Sequence, residues 1–386
     1  MGFGCYHPVR ALAITSATVR RWVGGPKQCP GRTSSIGRTG CNGIHSVRVA
    51  HVVYSRISIG SPRSGTMAAN KTMVLLPVFN DWASAQKMLV NIDQAFHDAG
   101  ITVAVTFVND GSTDPVPDDF VAAGSLRSIE SVRLIDLACN LGHQQALAVG
   151  LAELTKDGEY ANVVVMDADG EDNPGDIPAL LQAAGNSEKH IVLAQRASRR
   201  ESLLFKLSYR VFQNVFRLLT GHTYSFGNFC VIPRAHLDRL TFMSNLWNSL
   251  PATILSSKLP LELVPIHRQS RYHGRSQMNF TSLAIHGLRA IAVFADSVAV
   301  RMSFLLMGSA CVAIAVIIGL RIFGTGLAPG WASSMVGFLI LIALQIIILF
   351  ISTSLSALQT RGLMQMVPAV HAHIYVRQNL TLYGDD

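Results

Sequence analysis

The chain has 386 residues, 49% hydrophobic and 15% charged, which excludes a disordered polypeptide and a small disulfide-stapled module. Its net charge of +8 is unevenly spread, because ten Lys and Arg but no Asp or Glu precede Asp81, leaving −2 for the rest. A body without net positive charge argues against nucleic acid as a partner. The six cysteines (Cys5, Cys29, Cys41, Cys139, Cys230, Cys311) form no C-x-x-C pair and no zinc-like spacing, so reduced thiols on the cytoplasmic side are expected.

Residues 1–66 are rich in Arg, Ser and Gly and show no sustained apolar period. Three readings stay open: an over-long gene model whose start is Met67, a basic disordered arm, and an organelle-type targeting segment. Residues 67–268 then read as one α/β domain. Short apolar runs alternate with amphipathic stretches, as in βα units packing a mostly parallel, Rossmann-like sheet with helices on both faces. Strands are predicted over 73–79, 102–108, 132–137, 162–166 and 191–194, and helices over 82–99, 144–155 and 177–184.

In open sheets of this kind ligands bind beyond the carboxyl ends of the strands. Three of those ends are acidic or amide-rich: Leu76-Pro77-Val78-Phe79-Asn80-Asp81, Val108-Asn109-Asp110-Gly111-Ser112-Thr113-Asp114 and Val165-Met166-Asp167-Ala168-Asp169. Each alone reads as a cap or a turn. Together they gather carboxylates on one sheet edge, which is costly unless a cation or polar ligand fills the space. Asp167 and Asp169 are two apart, so in an extended chain both project to one side and can share a divalent ion, with oxygen ligands favouring Mg2+ or Mn2+. An EF-hand is excluded, since Asp172 stands where that loop needs Gly and Pro178 where it needs Glu. Asn173-Pro174 reads as a helix cap with Pro at the first position.

After 194 the pattern changes. An amphipathic helix over 202–219 places Lys206, Arg210, Gln213 and Arg217 on one face and Phe205, Phe212, Phe216 and Leu219 elsewhere, which suits either a membrane surface or an ordinary core. Residues 269–300 form a juxtamembrane interfacial segment, with a second surface helix over 280–296. Residues 302–320 and 322–360 carry no charge, and each is long enough to cross ~30 Å of hydrocarbon as a helix. Gly324, Gly326, Pro329 and Gly330 lie between them, so 301–360 is a two-helix transmembrane hairpin, and 361–386 is left as a cytoplasmic tail. Arg271, Arg275, Arg289 and Arg301 precede the first span and Arg361 follows the second, against Arg321 alone at the turn, so both ends are cytoplasmic. Neither span holds a charge at mid-depth, which argues against a channel or proton-coupled transporter. Spans this simple can associate into homo-oligomers.

From 73 to 277 these residues resemble family 2 glycosyltransferases of the GT-A fold. With the hairpin, the resemblance extends to about residue 355 and is closest in kind to polyprenyl-phosphate sugar synthases, the group containing dolichol-phosphate mannose synthase and undecaprenyl-phosphate glucosyltransferases. It implies that Pro77, Phe79, Asp81 and Asp110 line the nucleotide, and that Asp167 and Asp169 are the metal-binding D-x-D pair. Asn140-Leu141-Gly142, followed by Ala146 and Gly150, matches the N-x-G loop and helix. Glu171 stands where Gln is usual and adds a third metal ligand. Arg271-x-x-Gly274-x-Ser276 resembles a further signature, with Gln277 in place of Lys, and Gly227-Asn228-Phe229-Cys230 a G-D-F-R segment with both polar residues changed.

Arginine forks match phosphate oxygens. Arg196, Arg199, Arg200, Lys206 and Arg210, with Arg271, Arg275 and Ser276, are therefore expected to clamp the diphosphate of a nucleotide-sugar donor and a lipid phosphate. Flanking charge at a membrane is the plainer explanation of both clusters. The expected reaction is direct displacement at the anomeric carbon by polyprenyl phosphate, with inversion and with Asp169 and the arginines at the departing diphosphate. If the acceptor is instead a lipid or glycan hydroxyl, Glu171 or Asp172 is the base. A catalytically silent nucleotide-binding scaffold is the third possibility. His143, His222 and His273 read as structural.

Overall fold

The computed structural model describes residues 71–121, 126–157, 160–186, 190–196, 203–273, 280–323, 330–362 and 366–384. The N-terminal 66 residues, Arg199, Arg200, Arg275, Ser276 and Gln277 lie outside them, as do the side chains of Arg196 and Lys206.

The chain opens with β1 (Thr72–Val78), α1 (Trp82–Ala99), β2 (Val103–Asn109), β3 (Ile129–Leu137), α2 (His143–Leu154), β4 (Asn162–Val165), α3 (Ile177–Asn186) and β5 (Ile191–Arg196). β1 and β2 are continuous apolar runs enclosed on both faces, as parallel strands between helices must be. In α1, Trp82, Ala85, Met88, Leu89, Ile92 and Phe96 recur at helical spacing and are buried. Asp81 caps its N-terminus by accepting from Ser84 N at 3.3 Å, and Gly100 ends it in the left-handed conformation with its N–H on the Phe96 and His97 carbonyls.

β6 (Phe226–Pro233), α5 (Arg234–Thr241), α6 (Leu250–Ser256) and β7 (Leu261–Ile266) follow α4 (Leu203–Thr220). α7 (Phe280–Ala292), α8 (Ala295–Phe323), α9 (Trp331–Gly362), α10 (Pro368–His371) and β8 (Val376–Tyr383) complete the order. One eight-stranded sheet results, β7-β5-β6-β4-β1-β2-β3-β8. β1 is parallel to β2 and β4, β2 to β3 and β5 to β7, whereas β6 and β8 run antiparallel to their neighbours. This is the GT-A architecture the resemblance implies. Two departures stand out from the sequence reading: β6 and β7 were unread as strands, and the segment left as a tail returns to the sheet as β8.

Each sheet face carries its own core. α2 covers one face, with Leu147, Val149 and Leu151 against Leu75, Val108 and Val165. α1 and α3 cover the other, with Met88, Ile92, Phe96 and Leu180 against Leu76, Phe107 and Val164. α2 lies so close to the sheet that a Cβ on Gly150 would fall 2.7 Å from Val108 Cγ2 and 2.9 Å from Leu75 Cδ1. A third, aromatic cluster joins α4 and the segment between α7 and α8 to the domain: Phe216 of α4 and Phe294 pack edge to face at 5.9 Å, beside Tyr224. Phe216 is buried, while Val211, Val215 and Leu218 form an exposed stripe.

Candidate active site

β4 ends at Val165, and the chain then turns rather than staying extended, so Asp167 and Asp169 are presented by a loop. A second segment, 268–272, lies along that loop. Gln269 N donates to the Glu171 carbonyl at 2.9 Å and Tyr272 N to the Asp169 carbonyl at 3.0 Å. This backbone pairing lays two guanidinium groups on the acids. Arg271 reaches Asp169 Oδ2 through Nε at 3.0 Å and Nη2 at 2.5 Å, and Arg268 pairs with Glu171. Tyr272 locks the arrangement: its hydroxyl accepts from Asn91 Nδ2 at 2.6 Å, and its ring lies 4.8 Å below the Lys87 ammonium. The loop accommodates the ring because Gly170 has φ +90°, and a Cβ there would sit 2.6 Å from Tyr272 Cγ.

Electrostatics follow the geometry. Burial raises the Asp169 proton affinity above the ordinary carboxylate range, and repulsion from Asp167 adds to it, while Arg271 and Arg268 pull the other way. Burial lowers the Arg268 guanidinium against the attraction of Asp167 and Asp169. On the far side of the loop, His143 at the start of α2 brings Nε2 to 3.2 Å from Asp167 Oδ1 and 2.9 Å from Asn228 Nδ2. Dehydration pushes the imidazole down, but Asp167, then Asp169 and Asp110, outweigh it and leave His143 raised. Asn228 also accepts from Gln144 Nε2 at 2.9 Å, and Gln144 Oε1 from Leu250 N at 2.7 Å, which ties α2, β6 and α6 together under the site.

Several expectations are corrected. Among the described residues no three Asp, Glu, His or Cys side chains come together as a metal-binding set, so the three-carboxylate centre of Asp167, Asp169 and Glu171 is not assembled. Glu171 is turned to Arg268 instead. Asp172 is buried at 3% exposure and accepts from Asp167 N at 3.3 Å, so it shapes the loop rather than standing open to a substrate hydroxyl. Pro77 is enclosed within β1 and Asp81 caps α1, which leaves Phe79, 48% exposed, as the open one of these three expected nucleotide-lining residues. Asp110 is buried, and both its oxygens are taken, by Leu141 N at 2.7 Å and Gly142 N at 2.9 Å. It therefore anchors the Asn140-Leu141-Gly142 loop. Burial raises its proton affinity, opposed by those two N–H groups and by His143. Arg210 stays exposed on α4, and the His222 ring packs at a tilt against Phe294, centroids 4.9 Å apart.

Arg268, His143 and Tyr272 were missed or discounted as site residues. The only local signal for Arg268 is its spacing, three before Arg271.

Residues 73–239 match the model of the family described as glycosyl transferase family 2. They form a family 2 glycosyl transferase domain. Solved structures with similar folds include glucosyl-3-phosphoglycerate synthase from Mycobacterium tuberculosis in complex with Mn2+, uridine-diphosphate-glucose and phosphoglyceric acid. It is 17% identical, with a TM-score of 0.44 over 60% of this chain and 80% of that one. The same synthase in complex with Mn2+, uridine-diphosphate and glucosyl-3-phosphoglycerate is 16% identical, with a TM-score of 0.42 over 60% and 81%. The acid loop, His143 and Asn228 fall inside the matched range of the transferase domain, whereas Arg268, Arg271, the two long helices and β8 lie beyond it.

Proposed function

We propose that this chain transfers a glycosyl group from a nucleotide-sugar donor to polyprenyl phosphate at the cytoplasmic face of a membrane, the bacterial inner membrane. The observation that carries this reading is the backbone pairing that lays Arg268 and Arg271 on the acid loop of a family 2 transferase domain. An oxygen of the acceptor phosphate forms a bond to the anomeric carbon as the bond from that carbon to the diphosphate oxygen breaks, with inversion. The electron pair leaves with the nucleoside diphosphate. Arg271 and Arg268 offer fork-shaped donors to the charge that develops there. An ionised phosphate needs no base to activate it, which agrees with a site where Glu171 is held by Arg268 and Asp172 is enclosed.

Asp167 and Asp169 are hard oxygen donors on one loop, near enough for the charge of one to raise the other. The pair fits a Mg2+ or Mn2+ ion whose other ligands are water and phosphate oxygens. When bound, such an ion supplies further neutralisation of the departing diphosphate.

The membrane part of the reading rests on α8 and α9, the two described helices long and apolar enough to cross a bilayer. Phe304 is 74% and Ile348 65% exposed. Apolar surface left in water costs roughly 25 cal/mol per Å², so a lipid environment is the favourable solvent for these helices. β8 follows the hairpin and pairs with β3, which precedes it. That supports an even number of crossings with both ends on the side of the sheet, and the flanking arginines favour the cytoplasm for that side.

The test is incubation of membranes containing the chain with labelled nucleotide sugars and polyprenyl phosphate, followed by lipid extraction. A charged, chelator-sensitive glycolipid is expected. A neutral glycolipid points to a hydroxyl acceptor, and no product with any donor defeats the enzymatic reading.

A further inference from the structure

β8 lies outside the matched range of the transferase domain, yet it reaches the sheet edge where the turns after β1 and β2 meet. Asp136 of β3 stands opposite Gln378 of β8, with only 3% of its side chain exposed. Arg377 donates to Asp136 Oδ2 through Nε at 2.8 Å and Nη2 at 2.5 Å, and Gln378 Nε2 donates to the same oxygen at 3.0 Å. Asn109 Nδ2 donates to the other oxygen at 2.8 Å. An enclosed carboxylate needs such partners, since leaving it unmatched is strongly unfavourable.

The hydrogen bonds continue past Asp136. Asn109 Oδ1 accepts from Ser112 N at 3.0 Å, and Ser112 Oγ accepts from Asn80 N at 3.0 Å. Asn80 Oδ1 in turn accepts from Thr113 N at 2.9 Å and Asp114 N at 3.2 Å. Asn80 sits at φ +50°, a conformation that persists when its surroundings over-determine it. A line of polar contacts thus runs from β8, through Asp136 and Asn109, to the turn after β2 and the residue that ends β1. Ser112, Thr113, Asp114, Asp136, Arg377 and Gln378 border a common cavity of about 370 Å³.

We propose that Arg377 and Gln378 are positioning residues of the donor site: by holding Asp136 they set the shape of the turns at 80–81 and 111–114 that receives the nucleoside diphosphate. The proposal rests on the donor reading given above. It makes the segment after the hairpin a working part of the transferase domain. An edge strand that only closed the sheet would lower stability when weakened and leave donor affinity alone; a positioning strand changes affinity in molecules that remain folded.

The experiment uses the full chain in lipid nanodiscs, with Arg377→Ala, Arg377→Lys and Gln378→Ala. Uridine diphosphate and guanosine diphosphate are titrated with Mn2+ by calorimetry, donor kinetics are measured, and amide hydrogen exchange is followed at residues 109–114. Arg377→Ala is expected to weaken the bound diphosphate and raise the donor KM about tenfold with kcat within about threefold, and to speed exchange at Ser112 and Thr113 about tenfold. Arg377→Lys recovers part of each effect, because it keeps the charge and loses the fork. Gln378→Ala, which leaves the ion pair in place, shows the same pattern at about two- to threefold and serves if Arg377→Ala fails to fold. Unchanged KM and exchange in folded variants overturn the proposal, as does a fall in melting temperature alone. If the unaltered chain binds neither diphosphate, the donor reading fails by itself, and unaltered exchange at 112–114 in the variants still decides against positioning.

Discussion

Asp110 and Asp136, at the ends of β2 and β3, are enclosed, and their oxygens are taken up by Leu141 N, Gly142 N, Asn109, Arg377 and Gln378. Asp169 and Glu171, beyond β4 on the same sheet edge, face Arg271 and Arg268, which arrive about a hundred residues later in the chain. Asp110 is matched by backbone N–H groups of a neighbouring loop, and Asp136 by Asn109 and by an arginine and a glutamine that return on β8 about 240 residues later; in both cases the hydrogen bonds hold turns in shape. The second pair is matched by the guanidinium forks of Arg271 and Arg268, on a loop beyond the strand end, where phosphate oxygens can engage the same donors. Carboxylates on one edge therefore divide into those that build the site and those that offer exchangeable charge, and substitution should separate the two.

The largest effect is expected at the exchangeable set. Asp169→Asn keeps the shape and the contact to Glu171 N but removes the negative charge, so the chain should fold and lose about 10³-fold or more in turnover. Near-normal glycolipid formation by that variant would sink the assignment of Asp169. Arg271→Ala comes next. On the proposed reading it removes one cation from the departing diphosphate, at an expected cost of about 10²-fold in kcat, and Arg271→Lys should recover less than half of that loss on a logarithmic scale.

How much of this division could be read beforehand follows from the range of the contacts. β1, β2, β4 and β5 were legible because strands enclosed on both faces are continuous apolar runs, and the D-x-D loop was legible because it follows one of them. β8, with the sequence Val-Arg-Gln-Asn-Leu-Thr-Leu-Tyr, is a mostly exposed edge strand without a buried face; its place depends on pairing with β3 across the whole hairpin. β7 was masked by Pro265 and half-exposed residues. Arg268 had no signal beyond its spacing from Arg271, because its partner, Glu171, is distant in sequence. Asp110 was placed against the nucleotide by analogy, whereas a carboxylate between a strand end and an N-x-G loop also makes a good anchor for backbone N–H groups. His143 was discounted as a lone histidine, and only the folded loop brings Asp167 beside it.

The site-building set predicts smaller losses of activity with larger losses of stability. In Asp110→Asn one of the two backbone donors, Leu141 N or Gly142 N, must face an amide NH2 group. The part-buried donor left unmatched costs at most about 1–3 kcal/mol, and the displaced loop should lower kcat/KM by about tenfold, measured beside the thermal midpoint. A stable Asp110→Asn variant with turnover as low as Asp169→Asn would move Asp110 into the exchangeable class.

Asp93 marks the far end of the same scale. It lies on α1 away from the acid loop, is buried, and its Oδ1 accepts from the backbone N–H groups of Arg127 at 2.8 Å, Ser128 at 2.8 Å and Ile129 at 3.2 Å, at the entrance to β3. Asn91 and Lys87 of the same helix meet Tyr272, but Asp93 itself is taken up by these backbone groups, so its contribution should be mainly to the fold. Asp93→Ala leaves these donors without their acceptor, some of them enclosed, and should destabilise the domain by about 2–4 kcal/mol. Turnover per folded molecule should stay within about twofold of the unaltered chain, since β3 reforms once the rest of the sheet is in place. A large loss of turnover in molecules that still unfold cooperatively would mean that the start of β3 is coupled to the acid loop through the sheet, and the separation between building and exchangeable carboxylates would then fail where it is expected to be cleanest.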